Sequence, residues 1–123
     1  MTHPTRVLVL EDQLLLAFAL KAMLGENDIE TVGPFANAQS ALAALDEEEF
    51  HFALLDVNLG DGETSTPVAD ALLIREKPFV FVTGYGSAAP LPPRFDHVDR
   101  FLKPVNVQRL LAAINQTSAG VQS

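Results

Sequence analysis

Phe52-Ala53-Leu54-Leu55-Asp56 is an apolar run that meets its first polar group at the closing carboxylate. A strand with one wet face alternates apolar and polar residues, so consecutive apolar positions predict a strand buried on both faces. Similar runs stand at Arg6-Val7-Leu8-Val9-Leu10 before Glu11-Asp12, and at Phe79-Val80-Phe81-Val82 before Thr83. Arg100-Phe101-Leu102 before Lys103-Pro104 is a shorter one, and Ile29 to Gly33 is a weaker candidate.

Helical stretches fill the intervals. Gln13 to Leu24 is rich in Leu and Ala and free of Gly and Pro, with Gly25 placed to end it. Asn37 can cap a helix through Leu45 whose apolar positions Ala38, Ala41, Leu42 and Leu45 share one face. Thr66 as cap with Pro67 at the first helical position opens a third, which buries Val68, Ala71 and Leu72 and stops before Pro78. Val107, Leu110, Leu111 and Ile114 form the stripe of a last, amphipathic helix. The alternation predicts an α/β fold in which a five-stranded parallel sheet carries helices on both faces through right-handed crossovers.

One crossover is irregular. Gly84-Tyr85-Gly86-Ser87-Ala88-Ala89-Pro90-Leu91-Pro92-Pro93 holds too many breakers for an ordinary helix, which predicts a mobile segment with at most a short turn. The remaining length suits one domain over residues 1–123, with a core of about residues 5–115 and a flexible tail at 116–123. No signal-peptide core precedes Arg6, and the longest apolar run, Leu14 to Leu20, is too short to span a bilayer. Sixteen acidic against eight basic residues give a formal charge of −8, which disfavours nucleic acid and anionic lipid as partners. The absence of cysteine excludes disulfides and thiolate metal sites and agrees with a cytoplasmic protein.

The polar residues that close the strands carry the chemistry. Glu11-Asp12, Asp56, Thr83 and Lys103 each follow a strand at its carboxyl end, where open parallel sheets bind ligands. With strand order 2-1-3-4-5 the first and third strands are neighbours, bringing Glu11, Asp12 and Asp56 together. Carboxylates so close repel, so one takes a proton at a raised pKa or a divalent cation neutralises them. Hard oxygen ligands suit Mg²⁺. Lys103 adds a cation and Thr83 a hydroxyl, a set able to support phosphoryl transfer to an aspartate. Singly each residue has a plain explanation: Asp12 as a helix cap, Asp56 and Lys103 as strand ends, Thr83 as a β-former. Their joint order is what carries the functional reading. His3, His51 and His97 show no ligand spacing, Phe79, Phe81 and Phe101 are core positions, and Asp46-Glu47-Glu48-Glu49 is a solvated face.

The ordered set Glu11-Asp12, Asp56, Thr83-Gly84 and Lys103-Pro104 resembles the CheY-like receiver domains of two-component response regulators across nearly the whole chain. The resemblance implies a flavodoxin-like sheet of order 2-1-3-4-5, with Asp56 as phosphoacceptor and Thr83 and Lys103 as its catalytic companions. Mg²⁺ would be held by Asp12, Asp56 and the Asn58 carbonyl, with Glu11 acting through water. Phe79-Val80-Phe81-Val82-Thr83-Gly84-Tyr85, with Asp56-Val57-Asn58-Leu59 and Pro67-Val68-Ala69-Asp70, is similar to the alphaproteobacterial FAT GUY receivers. These are single-domain proteins with a short or disordered fourth helix. That similarity implies a histidine kinase of the HWE type as partner, with a histidine phosphotransfer protein as a further one. The implied role is a relay intermediate, phosphate sink or interaction switch. The chain would be a phosphoacceptor with at most slow self-phosphorylation and autodephosphorylation, rather than an enzyme. Arg100 stands where receivers usually carry an aromatic switch residue, and Tyr85 is the candidate to replace it as partner of Thr83; the plain alternative for Tyr85 is a half-buried loop anchor. The rival readings are a phosphorylation-independent pseudo-receiver that only docks a partner, and a small Mg²⁺-dependent phosphohydrolase.

Overall fold

The computed structural model describes residues 4–84 and 91–122. In chain order the elements are β1 Thr5–Leu10, α1 Leu14–Glu26, β2 Ile29–Phe35, α2 Ala38–Glu47, β3 Phe52–Asp56, the short β4 Asn58–Gly60 and β5 Glu63–Thr64, α3 Thr66–Ile74, β6 Phe79–Thr83, β7 Arg100–Leu102 and α4 Val107–Gln122. Five strands form a parallel sheet in the order β2-β1-β3-β6-β7, which is the flavodoxin-like 2-1-3-4-5 once the β4–β5 hairpin is set aside.

The two-sided apolar runs do what their pattern requires. Leu8, Leu10, Ala53, Leu55, Phe79 and Phe81 face a core shared with α2 and α3. Val7, Val9, Phe52, Leu54, Val80, Val82 and Phe101 face the opposite core, closed by Leu24 of α1 and Leu110 and Ile114 of α4. All of β3 is buried, so Asp56 is carried to the edge of the core on a strand with no wet face.

Among the described residues of the crossover from β6 to β7 there is no α-helix. Residues 85–90, and with them Tyr85 and most of the segment expected to be mobile, lie outside the described residues. Beyond them a 3₁₀ turn at Pro93–Phe95 inserts Phe95, fully buried, into the α2/α3 core. Its ring meets Phe81 edge-on at 5.4 Å and Phe79 at 6.4 Å. Arg94 in the same turn reaches Asp70 of α3 through two bonds of 2.6 and 2.8 Å.

Several boundaries differ from expectation. Gly25 does not end α1; the helix continues to Glu26, Asn27 Nδ2 donates to the Met23 carbonyl, and Asp28 takes the left-handed conformation at φ 61°. Thr66 is the first helical residue of α3 rather than its cap, because Ser65 is held as cap by its N–H to the Val57 carbonyl. Asn37 caps α2 as expected, its Oδ1 accepting from Ser40 N at 2.8 Å. The last helix runs through Gln122, so the expected tail at 116–122 is helical. No proline interrupts it, and Thr117 Oγ1 donates to the Ala113 carbonyl on the way.

Asp46 to Glu49 are exposed, with Asp46 paired to Arg75 and Glu48 to Arg6. Among the described residues no helix is long and apolar enough to cross a membrane.

Candidate functional site

Register, rather than any single loop, assembles the site. Leu10 of β1 pairs with Leu55 of β3, so Glu11 and Asp56 are the next residues on two adjacent strands. Asp56 pairs with Val82 of β6, which puts Thr83 one step further along. Thr83 pairs with Leu102 of β7, which puts Lys103 one step beyond that. Adjacent strands lie about 4.8 Å apart, so four strand ends in step bring their polar residues into one cluster.

The side chains meet accordingly. Glu11, Asp12 and Asp56 each present a carboxylate oxygen within 4.8 Å of the others. Lys103 Nζ lies 2.8 Å from Glu11 Oε1 and 3.0 Å from Asp56 Oδ2. Glu11 is fixed by its surroundings: its N–H donates to the Phe35 carbonyl, and its Oε2 accepts from Gln13 N at 3.1 Å. Lys103 N donates to the Thr83 carbonyl at 2.9 Å, which joins the last two strand ends, and the Thr83 side chain is half-buried beside them. Asn58 is exposed on β4 and lines the same open cleft, of about 460 Å³, with Asp12, Gln13, Asp56, Gly84 and Lys103. Arg100 is exposed on β7, and Tyr85 lies outside the described residues.

Glu11 and Asp56 retain only 3% and 5% exposure, so two buried carboxylates face one ammonium. Burial first, then the neighbouring Glu11, pushes the Asp56 carboxyl up to about 7 against the pull of Lys103. Glu11 is also penalised by burial, but hydrogen bonds from Asp56, Lys103 and Gln13 outweigh that and hold it below its ordinary value. Below about pH 7, Asp56 rather than Glu11 is thus the member of the pair that holds a proton. Three hard oxygen donors at this spacing, with negative charge in excess, fit a small divalent cation that takes the place of that proton.

The raised value has a consequence for stability. Between about pH 4 and pH 7 the folded chain keeps a proton on Asp56 that the unfolded chain releases, so the burial cost grows as pH rises and is complete above about 7. Asp56→Asn removes that cost. In metal-free buffer it is expected to stabilise the fold at pH 8 by about 1–3 kcal/mol, the full shift being reduced by the weakened bond to Lys103. The gain should fade as pH falls toward 4, and urea titrations at both pH values check it. A gain of equal size at both would contradict the proton assignment.

The sequence did not point to the β4–β5 hairpin. Gly60, Asp61 and Gly62 form one wall of the cleft, and a Cβ at Gly60 would stand 3.5 Å from Asp12 Oδ2. The usable signal was Asp61-Gly62, a dipeptide favoured where a two-residue hairpin turn needs positive φ at both positions. Here the angles are 52° and 77°.

No protein-family model matches the chain. The solution structure of SdrG from Sphingomonas melonis Fr1 is 39% identical, with a TM-score of 0.79 over 93% of this chain and 98% of SdrG. A solution structure of the BeF3-activated conformation of SdrG, from Pseudomonas melonis Fr1, is 38% identical with a TM-score of 0.76 over the same shares. Among curated proteins, the sensory transduction protein LytT of Bacillus cereus is 27% identical over 121 residues, 96% of this chain and 49% of LytT. The chain spans about half the length of the curated relatives it matches.

Proposed function

The chain belongs to the response regulator receiver family, and on that premise we propose that it accepts a phosphoryl group on Asp56 from the phosphohistidine of a histidine kinase. The observation that carries the proposal is the contact of Lys103 Nζ with Asp56 Oδ2 at 3.0 Å, inside a cluster that also holds Glu11 and Asp12. In the transfer an Asp56 carboxylate oxygen bonds to phosphorus while the P–N bond to the imidazole breaks, and its electron pair returns to the ring nitrogen. Ionised carboxylate needs no added base, so the protein's contribution is position and charge.

Lys103 moves from carboxylate to phosphoryl oxygen, and Thr83 donates its hydroxyl to another. Asp12, Asp56 and the Asn58 carbonyl would hold Mg²⁺, with Glu11 helping through water. When bound, the ion supplies neutralisation of charge on the transferred group. The chain is read as a phosphoacceptor with at most slow self-phosphorylation and autodephosphorylation, acting in the cytoplasm over residues 1–123 as one receiver unit. Its role is that of a relay intermediate, phosphate sink or interaction switch. Thr83 is the switch residue, with Tyr85 as its partner in place of the aromatic that Arg100 replaces.

A protein donor is favoured by the surface beside Asp12. Leu14, Leu15 and Phe18 at the start of α1 are 66%, 85% and 54% exposed, more apolar area than an isolated helix turn normally leaves in water. The partner class is a kinase of the HWE type, with a histidine phosphotransfer protein as the further candidate. Retention of the whole acidic cluster with its lysine argues against a pseudo-receiver. Incubation with candidate HWE kinases, labelled ATP and Mg²⁺ should place label on the wild type and none on Asp56→Asn. Equal label on both would overturn the proposal.

A further inference from the structure

The cleft beside Asp56 contains a carboxylate that the proposed transfer does not use. Asp61, exposed at the tip of the β4–β5 hairpin, lines it together with Asp12, Asp56 and Lys103. It stands apart from the tight cluster of Glu11, Asp12 and Asp56. The hairpin holds it there firmly. Leu59 is buried in the α2/α3 core, Glu63 Oε1 accepts from Ala38 N at the start of α2 at 2.9 Å, and Ser65 N donates to the Val57 carbonyl at 3.1 Å. A turn fixed at three points keeps its tip charge over the cleft.

We infer that Asp61 is a specificity-determining residue: its charge at the rim disfavours free anionic phosphodonors and reserves Asp56 for a phosphoryl group brought by a docked protein. The inference rests on the phosphoacceptor reading above. A small donor must enter against Asp61 with only its own binding energy, whereas a partner seated on Leu14, Leu15 and Phe18 offsets the repulsion through apolar contact. The same charge attracts a dication, so it favours the metal while opposing the donor. Coulombic repulsion scales with donor charge, which separates this role from a merely structural one.

The test uses the full chain as wild type, Asp61→Asn and Asp61→Lys, with Glu47→Gln on α2 as a surface-charge control. Asparagine tolerates the left-handed conformation that Asp61 adopts at φ 52°, so the first variant changes charge without changing the turn. The probes are dianionic acetyl phosphate and monoanionic phosphoramidate, at low ionic strength and saturating Mg²⁺. Asp56 oxygen bonds to phosphorus as the P–O bond breaks and acetate leaves, or as the P–N bond breaks and the nitrogen leaves with its electron pair as ammonia. For a solvated charge on the order of 8 Å away, Asp61→Asn should raise the rate constant about fivefold for the dianion and about twofold for the monoanion. Asp61→Lys should raise both further, and the differences should shrink at about 0.5 M salt, where the Debye length is a few ångströms.

Glu47→Gln should match the wild type. A Mg²⁺ titration of the Asn58 and Gly84 amide resonances, without any donor, should show weaker binding in Asp61→Asn. Rates that ignore residue 61, or change equally for both donors, would overturn the inference alone. If no form of residue 61 is phosphorylated by either donor and the wild type also takes no label from the kinases above, the phosphoacceptor reading falls and this inference with it.

Discussion

Phe95→Ala is expected to destabilise the protein by about 3–5 kcal/mol and lower its melting temperature by roughly 10–20 °C. The ring is fully buried, and it contacts Phe79 and Phe81 edge-on. Among the described residues of the crossover, Phe95, set by a 3₁₀ turn, is the fully buried side chain on this core. Neighbouring Leu91 and Val98 pack only partly buried against the same core, so little stands ready to fill the space. Phe95→Leu should recover part of the loss, since it restores most of the apolar volume but not the edge-to-face contacts. Thermal unfolding of the three proteins checks this, and a loss below about 1 kcal/mol for alanine would show that Phe95 is not the anchor.

Lys103→Met is expected to cost about 3–5 kcal/mol above pH 7, because it leaves Glu11 and Asp56 buried without their cation. The cost is pH-dependent in a definite direction. Asp56 already holds its proton up to about pH 7, and without Lys103 that value rises further, so at pH 5.5 most of the repulsion is absent. The variant should approach wild-type stability at that pH and fall away as pH rises toward 8. The lysine's own raised pKa contributes stability that is lost only in strongly alkaline solution, outside this window. Chemical denaturation at pH 5.5 and 8.0 separates the terms, and a penalty of the same size at both would mean packing, not charge, is lost. Phosphoryl transfer should be impaired even under conditions that restore folding, since among the described residues no other lysine or arginine lines the cleft.

The sheet and the cluster were legible because both follow from one sequence habit, an apolar run ended by a polar residue. Two-sided burial identified β1, β3 and β6 directly, and the polar residue after each run marked the end at which a site forms. What escaped was structure set by backbone chemistry over two or three residues. The hairpin was hidden because Asn58-Leu59-Gly60 has no strand-like pattern of its own, and only Asp61-Gly62 announces the turn. The place of Phe95 was hidden because three prolines and two glycines precede it, which reads as open loop although the ring that follows is core. The helix cap at Ser65 was misassigned for a similar reason: Thr66-Pro67 is a good cap signal, but a tertiary bond from Ser65 N to Val57 decides the boundary.

Because Glu11, Asp56, Thr83 and Lys103 each hang from a strand terminus at one end of the sheet, the opposite end is a region of free design. Lengthening the turns that lead into the strands, such as Arg75 to Lys77 before β6, leaves the spacing of the four groups untouched. Deleting a single residue inside β1 would rotate its inward faces and shorten its reach at once. Natural or engineered diversification of this scaffold should therefore collect in the turns that enter the sheet.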